Sequence, residues 1–330
     1  MYQIKQIPED FIVKEIGNVN LETNGPYTYF NLKKVNYSTV SALEVLSKKL
    51  KIPLKNVGFA GNKDKNAITE QKISIFMGSK NYESIELNNL ELKYLGNGKK
   101  PISLGDLEGN EFTVTIRNLD GKEIKKIDAF QYKTTKVPNL FGPQRFSKNN
   151  NLVGKAIIKR DFKKAVELLL ENNGAVENEI KGYVKENKND YVGALRLIPL
   201  KTRKLFVHSY QSFLFNKIVN EFLEYNKYKN TQIPIVGFNF EINVIENAKL
   251  KNIIKKMLDK EKVSPREFII NQMPELTSEG KLRNLFFELK DLKILEINED
   301  ELNKNKKKLK INFILPKSCY ATTLLEFIFH

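Results

Sequence analysis

From Val57 to Phe76 the chain reads VGFAGNKDKNAITEQKISIF, with one carboxylate, Asp64, set between Lys63 and Lys65. Gly58 and Gly61 precede it, and three chemistries compete for such a loop. A phosphate cradle needs four residues between its glycines, then Lys-Ser/Thr, and must feed a helix. Here two residues separate the glycines and strand-like sequence follows, while the guanine-reading Asn-Lys-x-Asp pattern fails because Asp64 directly follows Lys63. A hairpin tip would use Asn62, Asp64 and Asn66 as ordinary turn formers. A catalytic carboxylate would act as nucleophile or general base without help from His, Ser or metal. Were the segment extended, alternation would send Lys63 and Lys65 one way, toward phosphates, and Asp64 the other, into a pocket. The lysine charges would then help to keep that carboxylate ionised. On spacing alone the hairpin tip is the stronger reading, and the carboxylate stays open beside it.

The elements around the loop follow from periodicity. Alternation predicts strands beginning near Phe11 and through Thr28, Phe30 and Leu32, and short strands at Val57–Ala60 and Ile73–Phe76. Ser38 opens a helix with apolar positions Val40, Leu43, Leu46 and Leu50, and Pro53 closes it. LEGNEFTVTIRN (107–118) alternates as a strand. From about residue 136 the character changes: VPNLFGPQRF is a Pro- and Gly-punctuated aromatic turn, and helical spacing follows at Phe162–Leu170, Phe206–Phe222 and Ile253–Met257. A charge run, NEDELNKNKKKLK (298–310), reads as a solvated loop before Leu309, Ile311, Phe313 and Leu315 alternate again. The order is mixed α+β, then helix, then strand, without an internal repeat.

A chain of 330 residues, 41% of them hydrophobic, has room for about two domains. Its net charge of +16 points to a polyanionic partner, nucleic acid first and an anionic membrane surface second. With seven arginines among 55 basic residues, codon drift explains the abundance of lysine but not the shortage of Asp and Glu. The excess of positive charge therefore stands. The lone Cys319 has no intramolecular disulfide partner, which fits a reducing compartment. One Cys with His208 and His330 is too few for a structural zinc site. The N-terminus lacks the apolar core of a signal peptide, and no run of about 18 apolar residues follows. The expectation is a soluble cytoplasmic protein.

GFAGNKDKNAITEQ resembles the signature of the TruD family of tRNA pseudouridine synthases. Five further stretches resemble that family in its own order: IPEDFIVKE, LEGNEFTVTIRN, VPNLFGPQRF, SYQSFLFNKIV and FILPKSCYATTLLE. The resemblance spans residues 7 to 326. It implies an α+β fold: a pseudouridine-synthase catalytic domain with a mixed, mainly antiparallel sheet, interrupted by a helix-rich TruD-type insertion domain. Residues 1–135 and 275–330 would form the discontinuous catalytic domain and 136–274 the insertion. The implied reaction isomerises a uridine, at position thirteen of certain tRNAs, by flipping the base out, detaching it from its sugar and reattaching it through C5. No metal and no cofactor is expected. The partners would be tRNA, with other structured RNA as a further class, and neither a membrane nor a protein partner is implied.

Residue by residue, Asp64 matches the catalytic aspartate, while Phe11, Asn110 and Tyr320 match positions that contact the substrate nucleotide. Phe112 falls in Gly-Asn-x-Phe as a pocket wall. Lys5 stands where the family has a lysine, either partnering Asp64 or solvated. Arg145 either meets phosphate or pins the turn. Tyr320 replaces the Phe of some members, Ser147 a common Gly, and Glu326 a frequent Arg. Two rivals remain: an RNA-binding protein on this fold without catalysis, and an RNA methyltransferase, against which the lack of a glycine-rich strand-to-helix turn speaks. A net charge of +16 predicts tRNA affinity that falls steeply between low and moderate salt, as phosphate contacts release counterions. A binding series in rising salt checks this, and a flat response would contradict it.

Overall fold

A computed structural model describes residues 2–128, 130, 135–147, 149–172, 174–226 and 229–329. The chain divides into two compact units. The first comprises Met1–Thr135, Glu288–Ala321 and Leu325–His330, and the second Lys136–Phe287 with Thr322–Leu324.

The first unit holds strands β1 (Phe11–Ile16), β2 (Tyr27–Val35), β3 (Val57–Phe59), β4 (Ile68–Phe76), β5 (Leu90–Gly98) and β6 (Gly109–Leu119), with helices α1 (Thr39–Leu50) and α2 (Gly121–Asp128). Strand β7 (Thr135–Pro138) carries the chain into the second unit, which contains α3 (Asn150–Ile158), α4 (Phe162–Leu170), α5 (Ala175–Glu186), α6 (Tyr191–Arg196), α7 (Leu200–Leu223), β8 (Gln232–Ile235), α8 (Ala248–Glu261) and β9 (Lys281–Asn284). Strand β10 (Phe286–Glu299) carries the chain back, and β11 (Lys307–Pro316) and α9 (Ala321–Phe329) end it.

The sheet of the first unit runs β5-β2-β4-β1-β6-β11-β10, with β3 also on β4. Its pairs are antiparallel except β1 with β4, which is parallel, so the sheet is mixed and mainly antiparallel, as expected. Helix α1 covers one end of one face. Ser38 caps it by accepting from Ser41 N at 3.0 Å, and Lys51 ends it in the left-handed region. Leu43, Leu46 and Leu50 pack on Phe30, Leu32, Ile73 and Leu92, whereas Val40 faces outward.

In the second unit α7 is the central element, burying Phe206, Tyr210, Leu214, Phe215, Ile218 and Phe222. Gly154 of α3 is needed there, because a Cβ would collide with the carbonyl oxygen of Phe206. No described helix is long and apolar enough to cross a membrane.

The charge run at 298–310 is only in part the solvated loop its composition suggested: the turn at 301–306 is mostly exposed, but strands enter the run from both sides and one of its charges is buried. β10 extends to Glu299, β11 begins at Lys307, and Asp300 is buried between them. The reason is Arg117 on β6. Its guanidinium is itself buried, and it donates to Asp10 Oδ1 and Oδ2 at 2.8 and 3.0 Å, to Asp300 Oδ1 at 2.8 Å and to Glu301 Oε1 at 3.0 Å. A buried cation needs such partners, and they fix the turn. Burial pushes the Asp300 carboxyl up, but bonds from Asn118 N, Asn303, Leu302 N and Arg117 outweigh it and bring it down to about 2.

A depressed carboxyl stabilises the fold fully above its unfolded pKa of about 3.9, and that contribution is lost as pH falls through the folded value. Asp300→Asn should therefore cost about 2 kcal/mol at neutral pH. The gap should close as pH drops from about 4 toward 2, in denaturant midpoints measured across that range.

Candidate active site

Strand β4 explains where the loop goes. β2 pairs along one edge for its whole length. The other edge is shared: parallel β1 takes the first half, with Ile12–Lys14 opposite Ile68–Glu70, and antiparallel β3 takes the second, with Phe59 opposite Ile73. The two strands point their C-terminal ends at each other. The chain leaving β3 must therefore climb off the sheet where β1 ends, beside Glu15. Gly58 permits this approach, since a Cβ there would strike the carbonyl of Ile102.

The connection at 60–67 is then fastened almost residue by residue. Gly61 O accepts from Gln71 Nε2 at 3.1 Å, and Lys63 N donates to Thr39 Oγ1 at 2.8 Å, which in turn donates to Gln71 Oε1 at 2.9 Å. Lys63 Nζ meets Glu15 Oε2 at 2.5 Å, both side chains at 5% exposure or less, while Glu15 Oε1 accepts from Lys72 N at 3.2 Å. Lys34 Nζ donates to Asp64 O at 2.8 Å and to Tyr37 O at 2.5 Å. Ala67 O accepts from Asn36 N at 3.2 Å.

Lys63 consequently turns inward. The expectation that both flanking lysines face phosphates fails for it, because residues 61–64 fold back on the sheet and do not alternate as a strand. Lys65 alone of the pair is exposed.

The Asp64 carboxylate projects from this fixed loop, with about a third of its side chain (35%) exposed. Lys5 Nζ lies 3.3 Å from Oδ1 and 3.9 Å above the centroid of the Phe11 ring, so Lys5 is the partner of Asp64 and is not solvated. Lys5 adopts φ +60, a left-handed conformation that costs a non-glycine residue of order 1 kcal/mol and needs outside support. That support comes from both sides. Gln3 exchanges main-chain bonds with Arg117, and Asp10 Oδ2 accepts from Gln6 N and Ile7 N at 3.1 and 3.2 Å.

Across the strands, Val13 lies opposite Phe112 and Glu15 opposite Asn110. Opposite and alternate residues share a face, which collects Phe11, Phe112 and Asn110 beside the loop. Phe11 meets Phe112 edge-on at 5.8 Å, and Phe112 stacks on Phe313 at 5.4 Å. Phe11 is 2% exposed, so it forms the floor under Lys5 and not a free stacking surface. Asn110 Oδ1 is buried without a hydrogen-bond partner among the described residues, an acceptor that a native fold rarely leaves idle. Tyr320, half-buried, follows β11 at the same end of the sheet, since Leu315 pairs with Asn110 and Pro316 with Gly109. A cavity of about 500 Å³ lies on the other side of Glu15, lined also by Tyr29, Lys72 and Asp106; neither Asp64 nor Asn110 borders it.

Arg145 belongs to the second unit. Its Nε donates to Ser212 Oγ at 3.2 Å and its carbonyl accepts from Ser209 Oγ at 3.0 Å, both on α7, so it pins its turn. Ser147 takes φ +45, which accounts for glycine being the common choice there. His208 nearby is held neutral, its pKa lowered to about 4 by burial and then by Arg145, Lys204 and Lys281. Glu326 faces Tyr2, whose phenol burial and then that charge raise to about 12. His330 lies outside the described residues.

Glu15, Lys34, Thr39 and Gln71 were not singled out from sequence. Gln71 had a signal, its place in Ala-x-Thr-x-Gln, but Lys34 in the charged pair Lys33-Lys34 had none. Removing one member of a buried pair strands the other charge. Glu15→Leu should therefore destabilise by roughly 3–5 kcal/mol, and Lys63→Met added to it should restore most of that loss in denaturant midpoints.

Comparison with known proteins identifies the family. The family model described as tRNA pseudouridine synthase D (TruD) matches residues 2–182, 175–234 and 225–327. A Methanosarcina barkeri protein described as a probable tRNA pseudouridine synthase D is 33% identical, over 98% of this chain and 92% of its own. The Aquifex aeolicus tRNA pseudouridine synthase D is 30% identical, over 99% and 98%. A crystal structure of a TruD-type protein from Methanosarcina mazei superimposes with a TM-score of 0.74 at 30% identity, covering 99% of this chain and 93% of that one. A family model matched along nearly the whole chain, relatives at 30% identity or more over its full length and a shared fold place this protein in the TruD family of tRNA pseudouridine synthases.

Proposed function

We propose that this chain is an isomerase that converts a uridine of tRNA, at position thirteen by its family, to pseudouridine, with Asp64 as the catalytic carboxylate. The observation that carries this is Asp64 itself: a carboxylate on a loop fastened at 61, 63, 64 and 67, paired at one oxygen with Lys5 and left partly open. A hairpin tip needs none of that support. The first unit is the catalytic domain on this reading and the second the TruD-type insertion. Binding of RNA and a cytoplasmic location go with the same reading, as does action on other structured RNA.

The target base leaves its stack to reach the carboxylate. Tyr320 offers a ring against which uracil stacks, at about 1–3 kcal/mol per base, and Phe112, buried against Phe313, serves as a pocket wall. The unpartnered Oδ1 of Asn110 accepts from the pyrimidine edge, and its amide can also donate. Lys5, seated over the Phe11 ring, holds the carboxylate in place. The N1–C1′ bond breaks, the freed uracil turns, and C5 bonds to C1′; the C5 proton leaves and N1 is protonated. Asp64 serves as nucleophile at the sugar or as base.

Asp64→Asn keeps the volume and the turn-forming capacity of the side chain but can do neither job. Pseudouridine formation should fall at least ~100-fold, while tRNA affinity in the same salt stays within severalfold. A fully active variant would reduce Asp64 to a turn residue and leave an RNA-binding role for the fold.

A further inference from the structure

Lys34 is the buried cation nearest the loop whose hydrogen bonds go to main-chain carbonyls and not to a carboxylate. Its side chain emerges from β2, fully buried at 0% exposure, and ends on the carbonyl oxygens of Tyr37 and Asp64. An ammonium in that position is costly, since its desolvation is not repaid by a hydrogen-bonded anion. A methionine of similar length would fill the same space without the charge. A costly group retained at the back of a reactive carboxylate calls for a functional account.

We propose that Lys34 is a positioning residue for Asp64: its ammonium clamps the main chain at residue 64 from beneath and fixes where the carboxylate is presented. The proposal rests on Asp64 being the catalytic carboxylate. The three fasteners at 61, 63 and 67 leave the peptide at 64 to Lys34. Charge-assisted bonds are roughly twice as strong as neutral ones, so protonation sets how firmly that peptide is held. Displacement of a reacting group by about 1 Å is enough to cost ~100-fold in rate.

The charge state has its own signature. Burial lowers the Lys34 pKa from 10.5 to about 8; of the charged groups facing it from the loop, Asp64 opposes that shift and Lys63 adds to it. The strands on either side present Thr69 from β4 and Leu90 from β5, neither of which ionises. Between pH 8 and 10.5 the unfolded chain holds a proton on this lysine that the folded chain has lost, so its contribution to stability rises with pH. Turnover should move the other way as the clamp loses its charge. A residue of merely structural use would move both together.

The test compares wild type, Lys34→Met and Asp64→Asn on unmodified tRNA. In Lys34→Met, kcat should fall roughly 10- to 100-fold with KM within about threefold. Wild-type kcat should decline above pH 8, and its stability relative to Lys34→Met should increase over the same range. Lys34→Met with kcat within twofold of wild type overturns the proposal, as does a loss shared equally between kcat, tRNA affinity and melting temperature. If Lys34→Met does not fold, the wild-type profile decides: a decline in kcat above pH 8 at constant KM supports the clamp, and a flat profile to pH 9.5 overturns it. An active Asp64→Asn overturns the assignment of the carboxylate instead, whatever Lys34 shows.

Discussion

Lys63 and Glu15 are buried at both ends of their contact, and their charged atoms lie 2.5 Å apart. Moving two charges out of water is expensive, and their attraction offsets the cost only when the geometry is tight and the remaining valences are filled. Here they are filled: the second oxygen of Glu15 takes a main-chain N–H of β4, and the main-chain N–H of Lys63 goes to Thr39. The pair can form only if the chain leaving β3 passes directly over the end of β1. It therefore converts the eight-residue excursion between β3 and β4 into one path. Asp64, the next residue, inherits its position from that constraint.

The second support works from the opposite end of the sequence. Arg117 draws together Asp10, Asp300 and Glu301, residues that precede β1 and follow β10. Through Asp10 and the bridge to Gln3 it also fixes the segment in which Lys5 sits at positive φ. A flexible lysine would pair with Asp64 only part of the time, and partly exposed pairs are individually weak. A lysine held in a left-handed conformation by two anchors has already lost much of that freedom. The pair at 3.3 Å is thus as much a product of Arg117 as of its own attraction.

Much of this was legible in the residues. The alternation at Phe11, Phe112 and Phe313 and the spacing of α1 and α7 come directly from burial of one face, and those elements formed where the pattern put them. Lys63 was misread because alternation was applied to a segment that is not a strand. Asp300 was misread because a run of charges looks solvated until a buried arginine 183 residues away claims one of them. Lys34 looks like any lysine beside another. Each error has the same origin: a charge states its need for a partner, but only the tertiary structure supplies the partner.

This bears on how a basic chain meets RNA. Three of the lysines nearest Asp64 are committed to the protein: Lys63 to Glu15, Lys34 to two carbonyls, and Lys5 to Asp64 and the face of Phe11. None is free to neutralise a phosphate, so they add to the formal charge without releasing counterions on binding. They act instead on the loop that carries the Asp64 carboxylate and hold it fixed. On the proposed function, phosphate contact falls to lysines such as Lys65, which is exposed beside the site. In Asn-Lys-Asp-Lys the two lysines are thus separated by depth: Lys63 lies below and holds the loop, Lys65 lies above and, on the proposed function, is left for RNA, and Asp64 stands between them.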